Sequence, residues 1–290
     1  MYLKNAKDLM QRLEFPTNAQ EELLSKLDTL LNLYDFLEIV NRYNTEDFDF
    51  SKALEDTKNL ALNHNVCEYT AYMLLLICMA PDLRERYIQK NIDEIIFYNT
   101  MRDLRYKLEE CRLVRGKYGT FVPIWYKGFF DMRIFSLGRL QFEINNTWFD
   151  CCIDGVHIPK GTKVLSVHIP RTGTPLKHEF AIDAYNNAIK FFENEFTDKI
   201  IFICNSWLLY PWNRTIYKDG ANLAQFYDDF TIVSSGEYPN YSECWRLFDC
   251  MYDGNPDNLP ANTSLRRAFI DRIKEQKPIG HGTGVIIFDK

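Results

Sequence analysis

The chain has 290 residues, of which 46% are hydrophobic and 26% are charged, and its formal net charge is −6 at pH 7. Its 21 Phe, 17 Tyr and 5 Trp exclude a disordered chain, because so much aromatic surface cannot remain in water. The acidic balance argues against a nucleic-acid-binding protein, since neutralising phosphates requires clustered Lys and Arg. The length suffices for one large domain or two ordinary domains with packed cores.

The sequence shows neither a secretory nor a membrane-spanning segment. Residues 1–14 are amphipathic and lack the apolar run of a signal peptide. The apolar stretch 71–80 stops at Pro81 and has about half of the ~20 residues that a bilayer span requires. Most of the eight cysteines lie inside apolar runs, which is typical of a reducing compartment. We therefore expect a cytoplasmic protein without nucleic-acid or membrane partners.

The first 115 residues are predicted to form a helical domain. No glycine precedes Gly116, and Leu residues recur at helical spacing in the first predicted long helix. The predicted segments are a helix capped by Thr17 or Asn18, a helix capped by Ser51, a buried helix from 66 to 79 that Pro81 ends, and a helix from 92 toward 111.

After residue 115 the composition indicates a mixed sheet, because glycine and proline separate short aromatic runs. The domain boundary is expected between residues 111 and 120, which gives domains of 1–115 and 116–290. In the second domain Leu140, Phe142 and Ile144 alternate strictly with polar residues. A period of two predicts that the polar residues share the other face of a strand. These are Arg139, Gln141 and Glu143.

A βαβ unit is predicted in the middle of this second domain. A strand from 163 to 169 is followed by Thr174 and Pro175, an N-cap and first-turn pair for a helix that ends near Phe196. The apolar run 200–204 is typical of a central strand, so the two strands should be parallel and the crossover right-handed. Further predicted elements are helices near 223–226, 241–250 and 264–275, strands at 230–234 and 285–288, and a flexible bend at 280–284.

The loop 170–175 is a candidate anion site. It runs directly into the predicted helix, and two cations, Arg171 and Lys177, flank it. Free backbone N–H groups at a helix N-terminus, together with these cations, would suit a phosphate or pyrophosphate. His168 lies at the end of the preceding strand, where parallel sheets bind ligands. An ordinary βα loop and a packed core histidine are the alternatives.

Other site chemistries find little support. The chain has no C-x-x-C, no H-E-x-x-H and no calcium-type carboxylate loop, so no metal is expected. The hydrolase motif G-x-S-x-G is also missing. Cys204 ends a buried strand, where it is either an inert packed thiol or, paired with His168, the nucleophile of a cysteine hydrolase.

Several short motifs, taken as a set, resemble one bacterial family. They are Ser136-Leu137-Gly138-Arg139-Leu140-Gln141-Phe142-Glu143, Val167-His168-Ile169-Pro170, Cys204-Asn205-Ser206-Trp207-Leu208-Leu209, Leu259-Pro260 and Thr263-Ser264-Leu265-Arg266-Arg267-Ala268. The family pairs a helical N-acyltransferase-like N-terminal domain with a C-terminal domain similar to the GCN5-related N-acetyltransferases. The resemblance spans nearly the whole chain and implies an α+β fold that uses acetyl-CoA or another acyl-CoA as co-substrate.

In such folds one strand splays away from its neighbour, and the pantetheine arm of coenzyme A pairs with the exposed edge. The resemblance assigns this strand to residues 163–169 and the pyrophosphate to the loop 171–176. The implied coenzyme contacts are Val167, Arg171, Gly173, Thr174, Leu176 and Lys177.

Our first functional hypothesis is acyl transfer to an amine or hydroxyl of a small-molecule or peptide acceptor. Such transfer needs a base for the acceptor and a polarised thioester carbonyl. Glu143 or His168 is the candidate base, and a strand N–H near Val167 or His168 would polarise the carbonyl. The candidate acceptor contacts are Arg139, Gln141 and Trp207, with Trp212 as a possible second wall.

The second hypothesis is a non-catalytic binding or interaction protein that keeps the acetyltransferase-like fold and has lost the cofactor. Its support is that the pyrophosphate signature of the acetyltransferases is incomplete in this chain. That signature is Arg or Gln followed by x-x-Gly-x-Gly or Ala. Arg171-Thr172-Gly173-Thr174 retains only part of it. Coenzyme A binding discriminates between the two hypotheses.

Overall fold

The computed structural model describes residues 1–153 and 155–289, and it contains two compact units. One is Met1–Phe135, the helical unit, and the other is Ser136–Lys290, the sheet unit. The first is built from helices and the second from a mixed sheet with helices. The predicted α+β class, with a helical part before a mixed-sheet part, is therefore confirmed.

The division between the units lies later in the chain than the expected boundary at 111–120. The glycine-containing stretch after Arg115 folds with the helices, because it packs directly on the backbone of the helix that begins at Glu68. Thr120 N–H donates to the Tyr69 carbonyl at 3.0 Å. A Cβ on Gly119 would overlap the Tyr69 backbone. The change in composition at residue 115 thus marks a loop inside the helical unit.

The helical unit differs from the sequence prediction at four places. Pro16, and not Thr17 or Asn18, is the N-cap of the helix Thr17–Leu31. The predicted helix from 92 toward 111 forms two helices, Glu94–Met101 and Asp103–Arg115. Asp49, and not Ser51, is the N-cap of α4, since its carboxylate accepts the N–H groups of Ser51 and Lys52. The buried helix α5 continues past Pro81, because its apolar face packs along its whole length and outweighs the missing N–H donor. The helices are α1 (Tyr2–Arg12), α2 (Thr17–Leu31), α3 (Tyr34–Asn41), α4 (Phe50–Asn63), α5 (Glu68–Gln89), α6 (Glu94–Met101), α7 (Asp103–Arg115) and α8 (Lys127–Phe130).

In the sheet unit the described residues form a six-stranded sheet in the order β1-β2-β5-β6-β8-β7 and a separate β3-β4 hairpin. Strands β5 and β6 are parallel and α9 connects them, so the predicted βαβ unit is confirmed. The strands are β1 (Ile134–Ser136), β2 (Gln141–Asn146), β3 (Cys151–Ile153), β4 (Val156–Ile158), β5 (Lys163–His168), β6 (Lys199–Ser206), β7 (Thr231–Glu237) and β8 (Gly280–Asp289). The helices are α9 (His178–Phe191), α10 (Pro211–Arg214), α11 (Asn222–Asp228), α12 (Trp245–Phe248) and α13 (Ser264–Lys274).

Residues 280–284, expected to be a flexible bend, form the first half of β8 and pair with β6 and β7. Alternate glycines are needed there because other parts of the chain lie against the strand, namely backbone at Gly280 and Gly282 and the Phe230 side chain at Gly284. A Cβ on Gly282 would overlap the carbonyl oxygen of Leu209. The glycines therefore serve close packing of backbone, a role that their spacing alone does not reveal.

The two faces of the sheet have different coverings. On the helix face, Tyr185 of α9 contacts Phe202 at a ring-centroid distance of 5.1 Å, and Phe142 lies 5.6 Å from Phe202. On the opposite face, which we call the hairpin face, the β3-β4 hairpin packs against β5, β6 and β8. The apolar side chains of that face are Ile153, Ile158, Val164, Ile201, Ile203 and Val285.

Candidate functional site

The pairing register of the parallel strands β5 and β6 stops before their carboxyl ends, and we call this end of the pair the opening. Their pairing register ends at Ser166 and Ile203, although β5 continues to His168 and β6 to Ser206. Backbone donors and acceptors of β5 beyond Ser166 are therefore not used by β6 in this register. Such an opening between two parallel strands exposes an edge to which an extended amide-containing chain can hydrogen-bond.

Glu143 and His168 face each other beside this opening. In the antiparallel β2-β5 register Glu143 is opposite Ser166, and Gln141 is opposite His168, so these four side chains share the hairpin face. Glu143 Oε2 lies 3.1 Å from His168 Nε2. The carboxylate side chain is 11% exposed and the imidazole 26% exposed. The pair thus joins a buried carboxylate to a partly accessible imidazole.

This arrangement has the geometry of a base with an orienting partner. A carboxylate that accepts an imidazole N–H fixes the tautomer and leaves the second ring nitrogen as the proton acceptor. The sequence proposed Glu143 and His168 as alternatives for one role. The structure brings them together, with the more exposed imidazole on the strand that borders the opening.

Further polar side chains extend the hairpin face across the sheet. Asn205 of β6 is exposed at the opening, and its Nδ2 donates to Thr283 Oγ1 of β8 at 2.9 Å. Gln141 is buried on β2. Asn205 and Thr283 were not among the candidate site residues, because only the β6-β8 register places them on the same face as His168.

The βα loop, residues 169–177, joins β5 to α9. The helix begins at His178, with Lys177 as its N-cap, and not at the predicted pair Thr174 and Pro175. The Thr172 hydroxyl accepts the Thr174 N–H at 3.1 Å, so this loop closes a local turn before the helix starts. Thr174 is therefore a poorer anion donor than the sequence suggested. Leu176 is buried and Gly173 is exposed with a φ of +77°.

The cations of this loop already have partners. Arg171 Nη1 forms a close ion pair with Asp249, a residue that is 78 positions later in the chain. The same carboxylate also accepts from Arg266 Nη2 at 2.6 Å. Lys177 Nζ lies 3.3 Å from Glu179 Oε1. Because Asp249 is held by two arginines, the cluster keeps a net positive charge beside the loop.

The first turn of α9 carries one more charged pair. His178 Nδ1 lies 3.2 Å from Asp229 Oδ2. Burial raises the pKa of Asp229, and His178 opposes that rise. This carboxylate lies close to the helix N-terminus, where it interacts favourably with the helix dipole.

Three residues expected at the site have different contacts. Arg139 was predicted to share the polar row that faces an acceptor, but its guanidinium donates to the carbonyls of Pro170 and Thr174 at 3.0 and 3.1 Å. Trp207 packs edge-to-face on Phe269 at 6.0 Å, and Trp212 packs on the same ring at 5.1 Å. Both tryptophans thus belong to an apolar cluster around Phe269.

Cys204 lies on the helix face of β6 and is fully buried, whereas His168 lies on the opposite face. Burial raises the pKa of the Cys204 thiol far above its ordinary value. A thiol that stays protonated and faces away from the imidazole cannot act as its nucleophile. The structure therefore gives no support to the cysteine-hydrolase alternative.

We expect iodoacetamide to alkylate Cys152 and not Cys204 in the native protein. Cys152 is exposed whereas Cys204 is buried, and only an accessible thiolate reacts. Peptide mass spectrometry after labelling measures both sites, and labelling in denaturant is the control for intrinsic reactivity. Native labelling of Cys204 at a rate near that of Cys152 would contradict the buried placement.

Comparison with known proteins places both units in one family. Residues 4–132 match the N-acyltransferase N-terminal domain, and residues 134–286 match the GNAT-like C-terminal domain. The arrangement is an N-acyltransferase-type N-terminal domain followed by a GNAT-like C-terminal domain. The chain belongs to the family that combines these two domains, and the resemblance seen in its motifs is confirmed. No curated protein matches the chain.

Solved structures of acyltransferases share the fold of nearly the whole chain. One, in complex with decanoyl-CoA and teicoplanin, has a TM-score of 0.72 at 20% identity and covers 98% of this chain and 88% of its own. Another, in complex with decanoyl-CoA, has a TM-score of 0.70 at 21% identity and covers 97% and 86%. A mutant acyltransferase in complex with octanoyl-CoA has a TM-score of 0.70 at 19% identity and covers 98% and 87%.

The described residues also bear on two other kinds of site. Within residues 1–153 and 155–289, no helix combines the length and the apolar character that crossing a membrane requires. The same part of the chain contains no cluster of three or more His, Cys, Asp or Glu side chains suited to a metal ion.

Proposed function

We propose that the chain is an acyltransferase that moves an acyl group from acyl-CoA to an amine or hydroxyl of a small-molecule or peptide acceptor. The observation that carries the proposal is the Glu143–His168 pair on the hairpin face, beside the opening between β5 and β6. The opening offers an edge for the donor, and the pair offers a base next to it. Neither feature would be needed by a protein that only packs a sheet.

The donor binds with its pantetheine arm along the open end of β5. The amides of that arm pair with the backbone beyond Ser166, where the β5-β6 register has ended. The pyrophosphate lies at the βα loop and the N-terminus of α9, where Arg171 and Lys177 supply cations and Gly173 and Leu176 supply N–H groups. The net positive charge around Asp249 supports an anion there, since two arginines share one carboxylate.

Acyl transfer follows from the positions of these groups. The acceptor nitrogen or oxygen attacks the thioester carbonyl carbon, so a C–N or C–O bond forms and the C–S bond breaks. A backbone N–H of Val167 or His168 polarises the carbonyl oxygen. His168 takes the proton of the acceptor, with Glu143 as its orienting partner. The thiolate of coenzyme A leaves and takes up a proton.

The acceptor approaches from the hairpin face. Gln141 and Asn205 lie on that face around His168, and Trp207 follows β6 at the same end of the sheet. Arg139 is assigned to the βα loop and no longer to the acceptor. A glycopeptide such as teicoplanin, which one solved relative holds in its crystal, is a suitable first trial acceptor.

Direct turnover tests the proposal. The purified protein is incubated with acetyl-, octanoyl- or decanoyl-CoA and a panel of amines, hydroxyl compounds and glycopeptides, and acylated product is measured by mass spectrometry. Thiol reagents are avoided as the readout because the chain carries eight free cysteines. Product formation supports the enzyme. No measurable binding of acyl-CoA by calorimetry, together with no product, would instead favour the non-catalytic binding protein.

Arg171→Ala is expected to weaken the binding of coenzyme A about tenfold or more, since a charge-assisted contact contributes about 1.5–3 kcal/mol. The melting temperature should barely change, because Arg171 is largely exposed and Asp249 keeps Arg266 as its partner. Calorimetry and thermal denaturation of both proteins measure the two effects. Unchanged affinity for coenzyme A would place the pyrophosphate elsewhere.

We further propose a bacterial and cytoplasmic protein. The bacterial source follows from the resemblance of its motifs. The location is supported by the eight cysteines, which are all free, as is typical of a reducing compartment.

A further inference from the structure

We infer that Arg139 is a positioning residue for the donor: it holds the βα loop in the shape that receives the pyrophosphate. This inference rests on the proposed function. The guanidinium donates through Nη1 to the Pro170 carbonyl at 3.0 Å and through Nε to the Thr174 carbonyl at 3.1 Å. One side chain therefore ties together the two ends of a five-residue turn.

The strand register explains why Arg139 reaches this loop. Gln141, the first residue of β2, is the antiparallel partner of His168, the last residue of β5. If this register is continued past both strand ends, Arg139 lies opposite Pro170. The turn between β1 and β2 closes through Leu137 N–H to the Leu140 carbonyl at 3.1 Å, and Gly138 has a φ of +101°. This tight turn places Arg139 at the end of strands β2 and β5, next to Pro170.

The two hydrogen bonds change what the loop presents to an anion. Pro170 O also accepts the Thr172 N–H at 3.0 Å, and Thr174 N–H is bonded to the Thr172 hydroxyl. The Pro170 and Thr174 carbonyls, which would repel phosphate oxygens, are thus directed at a cation instead. Arg139 also adds a fixed positive charge behind the loop, which favours an anion on its other side.

A guanidinium suits this task better than other cations. Its planar fork of N–H donors bonds two carbonyls at once, whereas the ammonium of a lysine is a single point on a flexible stem. Lysine at position 139 would therefore keep the charge and lose the double attachment. Glutamine would lose both the charge and most of the attachment.

The test compares two donors that carry the same acyl group. Acyl-CoA contains the pyrophosphate, and acyl-pantetheine lacks it. We expect Arg139→Gln to raise the KM for acyl-CoA about tenfold with little change in kcat, and to leave the KM for acyl-pantetheine unchanged. Arg139→Lys should show the same pattern with a smaller increase. A purely structural role would impair both donors alike.

Arg267→Gln is the matched control. Arg267 is exposed in the same unit and likewise donates to a backbone carbonyl, that of Ala261 at 2.8 Å, and this variant should keep the wild-type KM for both donors. Equal losses with the two donors, or a change in the KM of the acceptor alone, would overturn the role of Arg139. If the wild-type protein uses neither donor, the proposed function fails and this inference fails with it.

Discussion

His168→Gln is expected to lower kcat/KM for acyl transfer by a factor of about 10²–10⁴, the usual contribution of a general base. Glutamine can still donate to the Glu143 carboxylate, so the buried charge stays satisfied and the fold is preserved. The affinity for acyl-CoA should remain close to that of the wild type, because the imidazole acts on the acceptor. Product formation by mass spectrometry and calorimetry with acyl-CoA measure the two quantities.

Glu143→Gln tests the orienting partner in the same pair. This variant should also lose activity, since it removes the carboxylate that orients the imidazole. A wild-type rate in His168→Gln would exclude the imidazole as the base.

Local patterns in the sequence predicted much of the sheet unit. The period of two in residues 139–144 placed Gln141 and Glu143 on one face, and the order strand, helix, strand predicted the parallel pair β5 and β6. These features depend on side-chain alternation and chain connectivity, which are both local. The helix boundary at His178 was missed because Thr174 and Pro175 also fit an ordinary turn.

The errors in the helical unit have a different origin. Proline normally ends a helix, yet α5 continues through Pro81 because every residue from Thr70 to Ala80 is buried before it and Leu83 and Tyr87 are buried after it. The domain boundary was expected too early, since Gly119 and its neighbours look like the start of a sheet domain. Their packing against Tyr69 is a long-range contact that composition does not reveal.

The candidate site combines predicted residues with contacts that only the fold provides. Glu143 and His168 were each identified from the sequence, but their hydrogen bond depends on the β2-β5 register. The alternation in the sequence placed Arg139 on the same strand face as these two residues. Its guanidinium instead hydrogen-bonds the βα loop, because the side chain reaches past the end of β5. Asp249 had no local signal at all, since its pairing with Arg171 is set by tertiary structure.

Gly282→Ala is expected to destabilise the protein by at least about 3 kcal/mol, the upper part of the range for overpacking. At a glycine where the added methyl group meets no other atom, this change would stabilise the folded protein by about 0.4–1 kcal/mol, because alanine restricts the unfolded chain. Here the added Cβ would overlap the Leu209 carbonyl oxygen, which is backbone and cannot rotate away. The steric cost therefore exceeds the gain. Denaturant unfolding of both proteins measures the difference.

Ser235→Ala is the matched control for this prediction. Ser235 is the cross-strand partner of Gly282 on β7 and is exposed, so its substitution should change the free energy of unfolding by less than about 0.5 kcal/mol. Leu209 is the last residue of the short helical turn Trp207–Leu209, which follows β6. Gly282→Ala should therefore also displace this turn, and Trp207 with it. A Gly282→Ala protein as stable as the wild type would show that the Leu209 backbone does not pack against β8 as closely as described.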